Sequence, residues 1–273
     1  MKPEISAVVL AGGLGSRMNV LTKNCQKSML GVEGQPILHY IFEGLQSEFG
    51  SAKVVIATGY RGEDITKAFG NRYRNIHLEY VHDSRHLEVR KRLLLADGLL
   101  EGPFFVMGTD VIIHSSQYSN MVQIFNTAPP NEIYGVISGA IDIKPAPTHA
   151  LISTEGNKVI EIQTYPPFDY TNPSLLRDMS LWYFDQRTLH LLKEVPSSEL
   201  NISPVLNEAI KHGVEYMIEK YHDNWYHFAT PEDLQVHINF HGIVDAKRNV
   251  RFCHSLVGGN PDTIYIINKV IID

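Results

Sequence analysis

The sequence predicts an α/β fold in which a parallel sheet is covered by helices. Short apolar runs rich in β-branched residues alternate with amphipathic helical patterns through the first half of the chain, and most of these runs stop at or beside a glycine. The apolar content is ordinary for a globular protein, so a core can form without disulfides or structural metals.

Taken in order, residues 5–10 form the first strand-like run and end at Gly12-Gly13. Residues 36–49 follow as a helix. Ile37, Leu38, Ile41, Phe42, Leu45 and Phe49 share one face, Pro36 suits the first turn and Gly50 the stop. Residues 53–57, 76–81 and 103–107 read as the next strands, with helices over 61–69 and 89–100 between them. The second half is less regular. Residues 133–141, 149–153, 158–163 and 179–184 read as strands, with a turn at Glu155-Gly156-Asn157 and a loop at 144–147. Residues 186–193 and 203–211 read as helices, the latter capped by Gly213, and a last helix over 231–240 follows Thr230 as N-cap.

Bulk properties exclude several classes. The net charge of −6 opposes nucleic acid as the main partner, although Arg85, Arg90, Lys91 and Arg92 form a local basic cluster. The run Arg90-Lys91-Arg92 is expected either as a solvated helix face or as a grip for a phosphate. Cys25 and Cys253 are far apart and in no metal-like spacing, which fits a reduced compartment. No apolar stretch has the length of a signal peptide or a membrane span, so a cytoplasmic protein with no membrane partner is expected.

The segment Leu10-Ala11-Gly12-Gly13-Leu14-Gly15-Ser16-Arg17 follows a strand. Three glycines let the backbone turn tightly and bring N–H groups against an anion. Arg17 adds a fork of donors for phosphate oxygens, and Lys27, ten residues on, adds a point charge. Together they suit a triphosphate whose pyrophosphate gains charge as it leaves. A dinucleotide fingerprint fits poorly, because Met18 stands where the third glycine belongs; a Walker loop fits poorly, because Gln26 precedes Lys27-Ser28.

Residues 10–40 read LAGGLGSRMNVLTKNCQKSMLGVEGQPILHY. This resembles the opening of the sugar-1-phosphate nucleotidyltransferases, the nucleotide-sugar pyrophosphorylases. Their signature is LAGG-x-G-[ST]-R-[LM]-x-x-LT, a lysine, then ML-x-V-x-G-x-P-[IL]. Weaker echoes follow at Thr58-Gly59-Tyr60, at 106–110, at 199–203 and at 225–234, so the resemblance covers about residues 3–240. It implies a Rossmann-like, three-layer fold of the GT-A kind with a mixed, mainly parallel central sheet. It also implies transfer of NMP from an NTP to a sugar 1-phosphate with release of pyrophosphate, usually with magnesium.

By the same resemblance Arg17, Lys27 and Asp110 are the catalytic residues. Leu10, Ala11, Gly12, Gly13, Gly15, Ser16, Asp83 and Glu88 join Arg17 and Lys27 around the nucleotide, and Tyr165 and Ser180 face the acceptor. Asp110 would hold magnesium, or manganese in its place, with His227 at the position of the second metal aspartate. A histidine there would make a mixed site better suited to manganese or zinc. Two further departures stand out. Glu88-Val89 replaces the Gly-Thr that reads the base. Thr164-Tyr165-Pro166 replaces a Glu-Lys-Pro whose lysine contacts the sugar phosphate, and tyrosine carries no charge at neutral pH. These changes open two alternatives: a cytidylyltransferase for a small non-sugar phosphate or phosphonate, and a catalytically inactive nucleotide-binding or regulatory homologue. Residues 241–273 are expected as an extension, a β-hairpin whose apolar residues (Ile264, Ile266, Ile267, Val270, Ile271) cover the domain or a second copy of the chain in a homo-oligomer.

Overall fold

The computed structural model describes residues 5–32, 35–85, 88–141, 150–164, 174–194, 201–223 and 225–230. Its first half comprises β1 (Ile5–Ala11), two 3-10 segments (Ser16–Thr22 and Lys27–Met29), β2 (Gly31–Val32), β3 (Gln35–Pro36), α1 (Ile37–Phe49), β4 (Ala52–Thr58), α2 (Gly62–Phe69), β5 (Arg72–Tyr73), β6 (Ile76–His82), α3 (Val89–Leu94), β7 (Phe104–Gly108), β8 (Val111–Ile112) and α4 (Ser116–Thr127). The second half adds β9 (Ile133–Ala140), β10 (Leu151–Glu155), β11 (Lys158–Gln163), β12 (Leu176–Phe184), α5 (Gln186–Glu194), α6 (Ser203–Lys211), β13 (Glu215–Tyr221) and β14 (Tyr226–His227).

Ten strands form one sheet in the order β10-β11-β13-β9-β12-β7-β1-β4-β6-β5. β1 pairs in parallel with β4 and β7, and β4 with β6. β12 opposes both β7 and β9, whereas β13 runs parallel to β9. The sheet is therefore mixed, and its parallel half is the βα-alternating half that the sequence predicts.

The near-continuous apolar runs of the central strands follow from burial on both faces. Along β1, Ala7, Val9 and Ala11 enter one core while Val8 enters the other; β4 and β7 split in the same way at Val54/Val55 and Phe105/Phe104. Leu38, Phe42 and Leu45 of α1, Ile65 of α2 and Met121 of α4 close the first face. Leu93 of α3, Leu189 and Leu192 of α5, and Val205 and Leu206 of α6 close the second. The result is three layers, helices on a sheet on helices.

Several elements depart from expectation. Pro36 stands at the N-cap of α1 and not in its first turn. The helix expected over 89–100 stops at Leu94. The chain continues in tighter turns, with Leu95, Ala96 and Asp97 donating to the carbonyls of Arg92, Leu93 and Leu94. Three-residue spacing keeps Leu93 and Ala96 on the sheet side. α4 and β13 carry no clear signal in the sequence. α4 buries a polar residue, Gln117, whose Nε2 donates to Ser138 Oγ at 2.7 Å. β13 alternates Tyr216 and Ile218 inward with Glu215 and Glu219, but it is short and highly charged. The expected loop at 144–147, the helix over 231–240 and the hairpin in 241–273 lie outside the described residues. Among the described residues, no helix is long and apolar enough to cross a membrane.

The basic run is not a wholly solvated face. Arg90 and Arg92 are buried, and only Lys91 is exposed. Arg90 Nε donates to Leu192 O at 2.6 Å, tying α3 to the last turn of α5. Arg92 Nη1 donates to Thr58 O at 2.7 Å, at the end of β4. Arg90→Met keeps most of the apolar stem but strands a buried carbonyl. It is expected to lower unfolding free energy by about 1–3 kcal/mol in urea titrations, with ligand binding in the folded protein unchanged.

Candidate active site

The parallel ladders bring three strand ends level: Leu10 lies beside Ala57 on one side and Gly108 on the other. Open α/β sheets bind ligands in the crevice beyond such carboxyl ends. Here the crevice is a cavity of about 350 Å³ whose wall includes Leu10, Gly13, Gly15, Ser16, Arg17, Lys27 and Asp110.

Two glycines of the loop are required by geometry. Gly15 has φ +62°, a left-handed conformation, and a Cβ there would meet Thr22 Cγ2 at 2.9 Å. Its carbonyl accepts from Met18 N at 2.8 Å and Thr22 Oγ1 at 2.9 Å, which closes the turn into the 3-10 segment carrying Arg17. Gly12 makes room for a side chain: a Cβ there would lie 1.7 Å from Arg92 Nη1. Gly12 and Ala11 thus support the loop from behind, whereas Gly13 and Gly15 line the cavity.

Gln26 fastens this loop to Lys27. Its Nε2 donates to Ala11 O at 2.7 Å, and its Oε1 accepts from both the backbone N and the hydroxyl of Ser28. Lys27 Nζ then reaches Asp110 Oδ2 at 2.9 Å. His227 Nε2 lies 3.6 Å from the same oxygen. Burial alone would raise the Asp110 carboxyl, but the Lys27 ammonium and His227 outweigh it and hold Asp110 ionised, well below the usual carboxylate range.

A second cavity of about 320 Å³ adjoins the first, and Arg17, Val89, Asp110, Ser180 and Trp182 border both. Thr164, Asp178 and His227 belong to the second alone. A bulge in β12 shapes this wall. Asp178 pairs with Gly139 and Trp182 with Ile137, so β12 spends four residues where β9 spends two, and Ser180 takes φ +52°. Asp178 Oδ1 caps the bulge, accepting from Ser180 N at 2.9 Å and Trp182 Nε1 at 3.1 Å. Burial lifts the Asp178 carboxyl to about 6; the two donors oppose the rise and the Asp110 charge adds to it.

Of the residues expected from sequence, Leu10, Gly13, Gly15, Ser16, Arg17, Lys27, Asp110, Ser180 and His227 are gathered around the two cavities. Asp83 and Glu88 are not among the lining residues. Asp83 is bound by Arg85, and Glu88 pairs with Lys91 at 3.7 Å, leaving its neighbour Val89 to face the cleft. Tyr165 lies outside the described residues. Sequence reasoning missed Gln26 and Asp178. Asp178 falls just before the strand-like run over 179–184, beside Arg177 and near Ser180, where nothing local marks it.

As an ion site, Asp110 supplies the hard oxygen that magnesium prefers, and magnesium is commonly held by one or two carboxylates plus substrate phosphates. Among the described residues, no group of three or more His, Cys, Asp and Glu side chains converges as a metal cage. Asp110 therefore fits such an ion, whereas the His227 nitrogen suits it poorly.

Comparison with known proteins places the chain in a family. Residues 6–239 match the sequence profile of the nucleotidyl transferase family. The bifunctional protein GlmU of Methanococcus maripaludis is 24% identical over 223 residues, covering 79% of this chain and 49% of that protein. The UTP–glucose-1-phosphate uridylyltransferase AglF of Haloferax volcanii is 32% identical over 112 residues, covering 41% of this chain and 46% of that protein. The chain thus spans about half the length of the curated relatives it matches. A solved UDP-glucose pyrophosphorylase from Acinetobacter baumannii superposes with a TM-score of 0.73 at 14% identity, covering 89% of this chain and 96% of that one, a likeness of fold.

The raised Asp178 carboxyl gives a pH test on the ligand-free protein. Between its ordinary value of 3.8 and about 6, the folded chain keeps a proton that the unfolded chain has released. Stability therefore falls as pH rises through that window and stays at the lower level above it. Asp178→Asn keeps an acceptor for Ser180 and Trp182 and removes the ionisation. It is expected to add about 2–3 kcal/mol of unfolding free energy near pH 8, a gain that is mostly lost by about pH 4. Urea midpoints at the two pH values check this.

Proposed function

This chain belongs to the nucleotidyl transferase family, and from that premise we propose that it transfers NMP from an NTP to a phosphorylated acceptor, a sugar 1-phosphate, releasing pyrophosphate. The observation that carries the reading is the pair of adjoining cavities with Arg17 and Asp110 on their shared wall. Two substrates seated in them would meet at that wall. Holding both reactants in line is most of what an enzyme contributes to this reaction.

In the proposed reaction an acceptor phosphate oxygen attacks the α-phosphorus. The bond from that phosphorus to the bridging oxygen of pyrophosphate breaks, and pyrophosphate leaves with the electron pair. No covalent enzyme intermediate is required. Amides of the loop at Gly13 and Gly15 hold phosphate oxygens, and Arg17 and Lys27 offset the charge that grows on the leaving group. Lys27 is paired with Asp110, so a cation on Asp110 would release Lys27 toward the phosphates. Magnesium, or manganese in its place, would neutralise the phosphate oxygens when bound, with Asp110 as its protein carboxylate. The second cavity supports a hydroxyl-bearing acceptor: Asp178, Thr164, Asn201 and Ser203 offer acceptors and donors around its wall.

Pyrophosphate release should be measured for the four NTPs against hexose 1-phosphates, phosphocholine-like acceptors and phosphonates. Turnover is expected with a hexose 1-phosphate, falling roughly 100-fold or more in Arg17→Ala and in Asp110→Asn. Turnover with phosphocholine-like acceptors alone would replace the sugar phosphate with a small non-sugar one. NTP binding without release for any acceptor would make the chain a regulatory homologue.

A further inference from the structure

We propose that His227 presents an N–H to Asp110 and is not a metal ligand, and that Arg177 is the positioning residue that fixes it so. The inference takes Asp110 as the site's cation carboxylate from the proposed function, but its decisive measurement needs no turnover.

The backbone leaves His227 little freedom. β14 pairs with β8, setting His227 opposite Val111, and Phe228 N donates to Asp110 O at 2.8 Å. The main chain of His227 is therefore held beside Asp110, and side-chain contacts set the ring. Arg177, buried at the start of β12, approaches from the other side. Its guanidinium carbon lies 4.3 Å from the Trp225 ring centroid, a cation–π stack, and its Nη2 lies 2.8 Å from His227 Nδ1.

A guanidinium has five N–H donors, no acceptor, and keeps its proton. In the 2.8 Å contact Arg177 must donate, so His227 Nδ1 must accept with its lone pair. The ring proton then sits on Nε2, the nitrogen 3.6 Å from Asp110 Oδ2. That distance is too long for a full hydrogen bond, but an N–H dipole still favours the carboxylate. Binding a metal through Nε2 would require that nitrogen to give up its proton while Nδ1 stays committed to Arg177. The ring would then become an imidazolate or lose its partner. An imidazolium would face Arg177 donor to donor.

Imidazole ¹⁵N NMR of the metal-free protein decides the first half. His227 is expected to show a protonated Nε2 and an unprotonated Nδ1, and Arg177→Met is expected to release it to a mixture of tautomers. Should Arg177→Met fail to fold, the wild-type spectrum still decides: a protonated Nδ1 overturns the proposal. Electron spin-echo spectroscopy of Mn²⁺ with a non-hydrolysable NTP decides the second half. No histidine nitrogen coupling is expected; a coupling present in wild type and absent in His227→Gln would overturn it. Glutamine retains an N–H near the Nε2 position, so His227→Gln should keep Mn²⁺ affinity within about threefold, whereas His227→Ala, which removes the donor, should lose about tenfold. Failure of the tautomer arm would leave the proposed reaction standing. Failure of the pyrophosphate screen would leave the tautomer assignment standing.

Discussion

The site depends on one constraint: β1 is buried on both faces between β4 and β7 and must run parallel to both. Parallel strands in register end at one edge. The glycine loop after β1 and the acidic turn after β7 therefore come out side by side, although 83 residues separate Lys27 from Asp110. The ion pair between them is the local consequence. It is partly shielded from water, with side-chain exposures of 13% and 22%.

The two carboxylates of the cleft have opposite fates for the same physical reason, namely what surrounds each. Both are desolvated. Asp110 is answered by a lysine and a histidine and stays ionised; Asp178 is answered by two neutral N–H donors and sits beside another negative charge, so its carboxyl rises to about 6. The bulge in β12 makes this pairing possible. Without the extra residues, Ser180 and Asp178 would follow the regular pleat and their present aim into the cleft would be lost.

Arg92 shows how a buried basic residue can support the glycine loop from beneath. It packs under Gly12 and donates to Thr58 O, bracing the loop against the end of β4. In the linear chain Arg90, Lys91 and Arg92 look alike; two are buried and one is in water. The difference lies in helix phase relative to the sheet, which charge alone does not reveal.

The sequence by itself determined the alternation that makes the parallel half-sheet, the glycine loop with Arg17 and Lys27, and the position of Asp110 at a strand end. These are local patterns, set by backbone sterics and by burial periodicity. Only the tertiary structure decided which expected residues line the two adjoining cavities: Ser180 and His227 do, while Asp83 and Glu88 turned to arginine and lysine partners. It also supplied Gln26 and Asp178, and it set Arg177 against His227 across 50 residues. Those assignments rest on strand register and on a bulge, which arise from pairing between distant segments and leave no mark in any short stretch of chain.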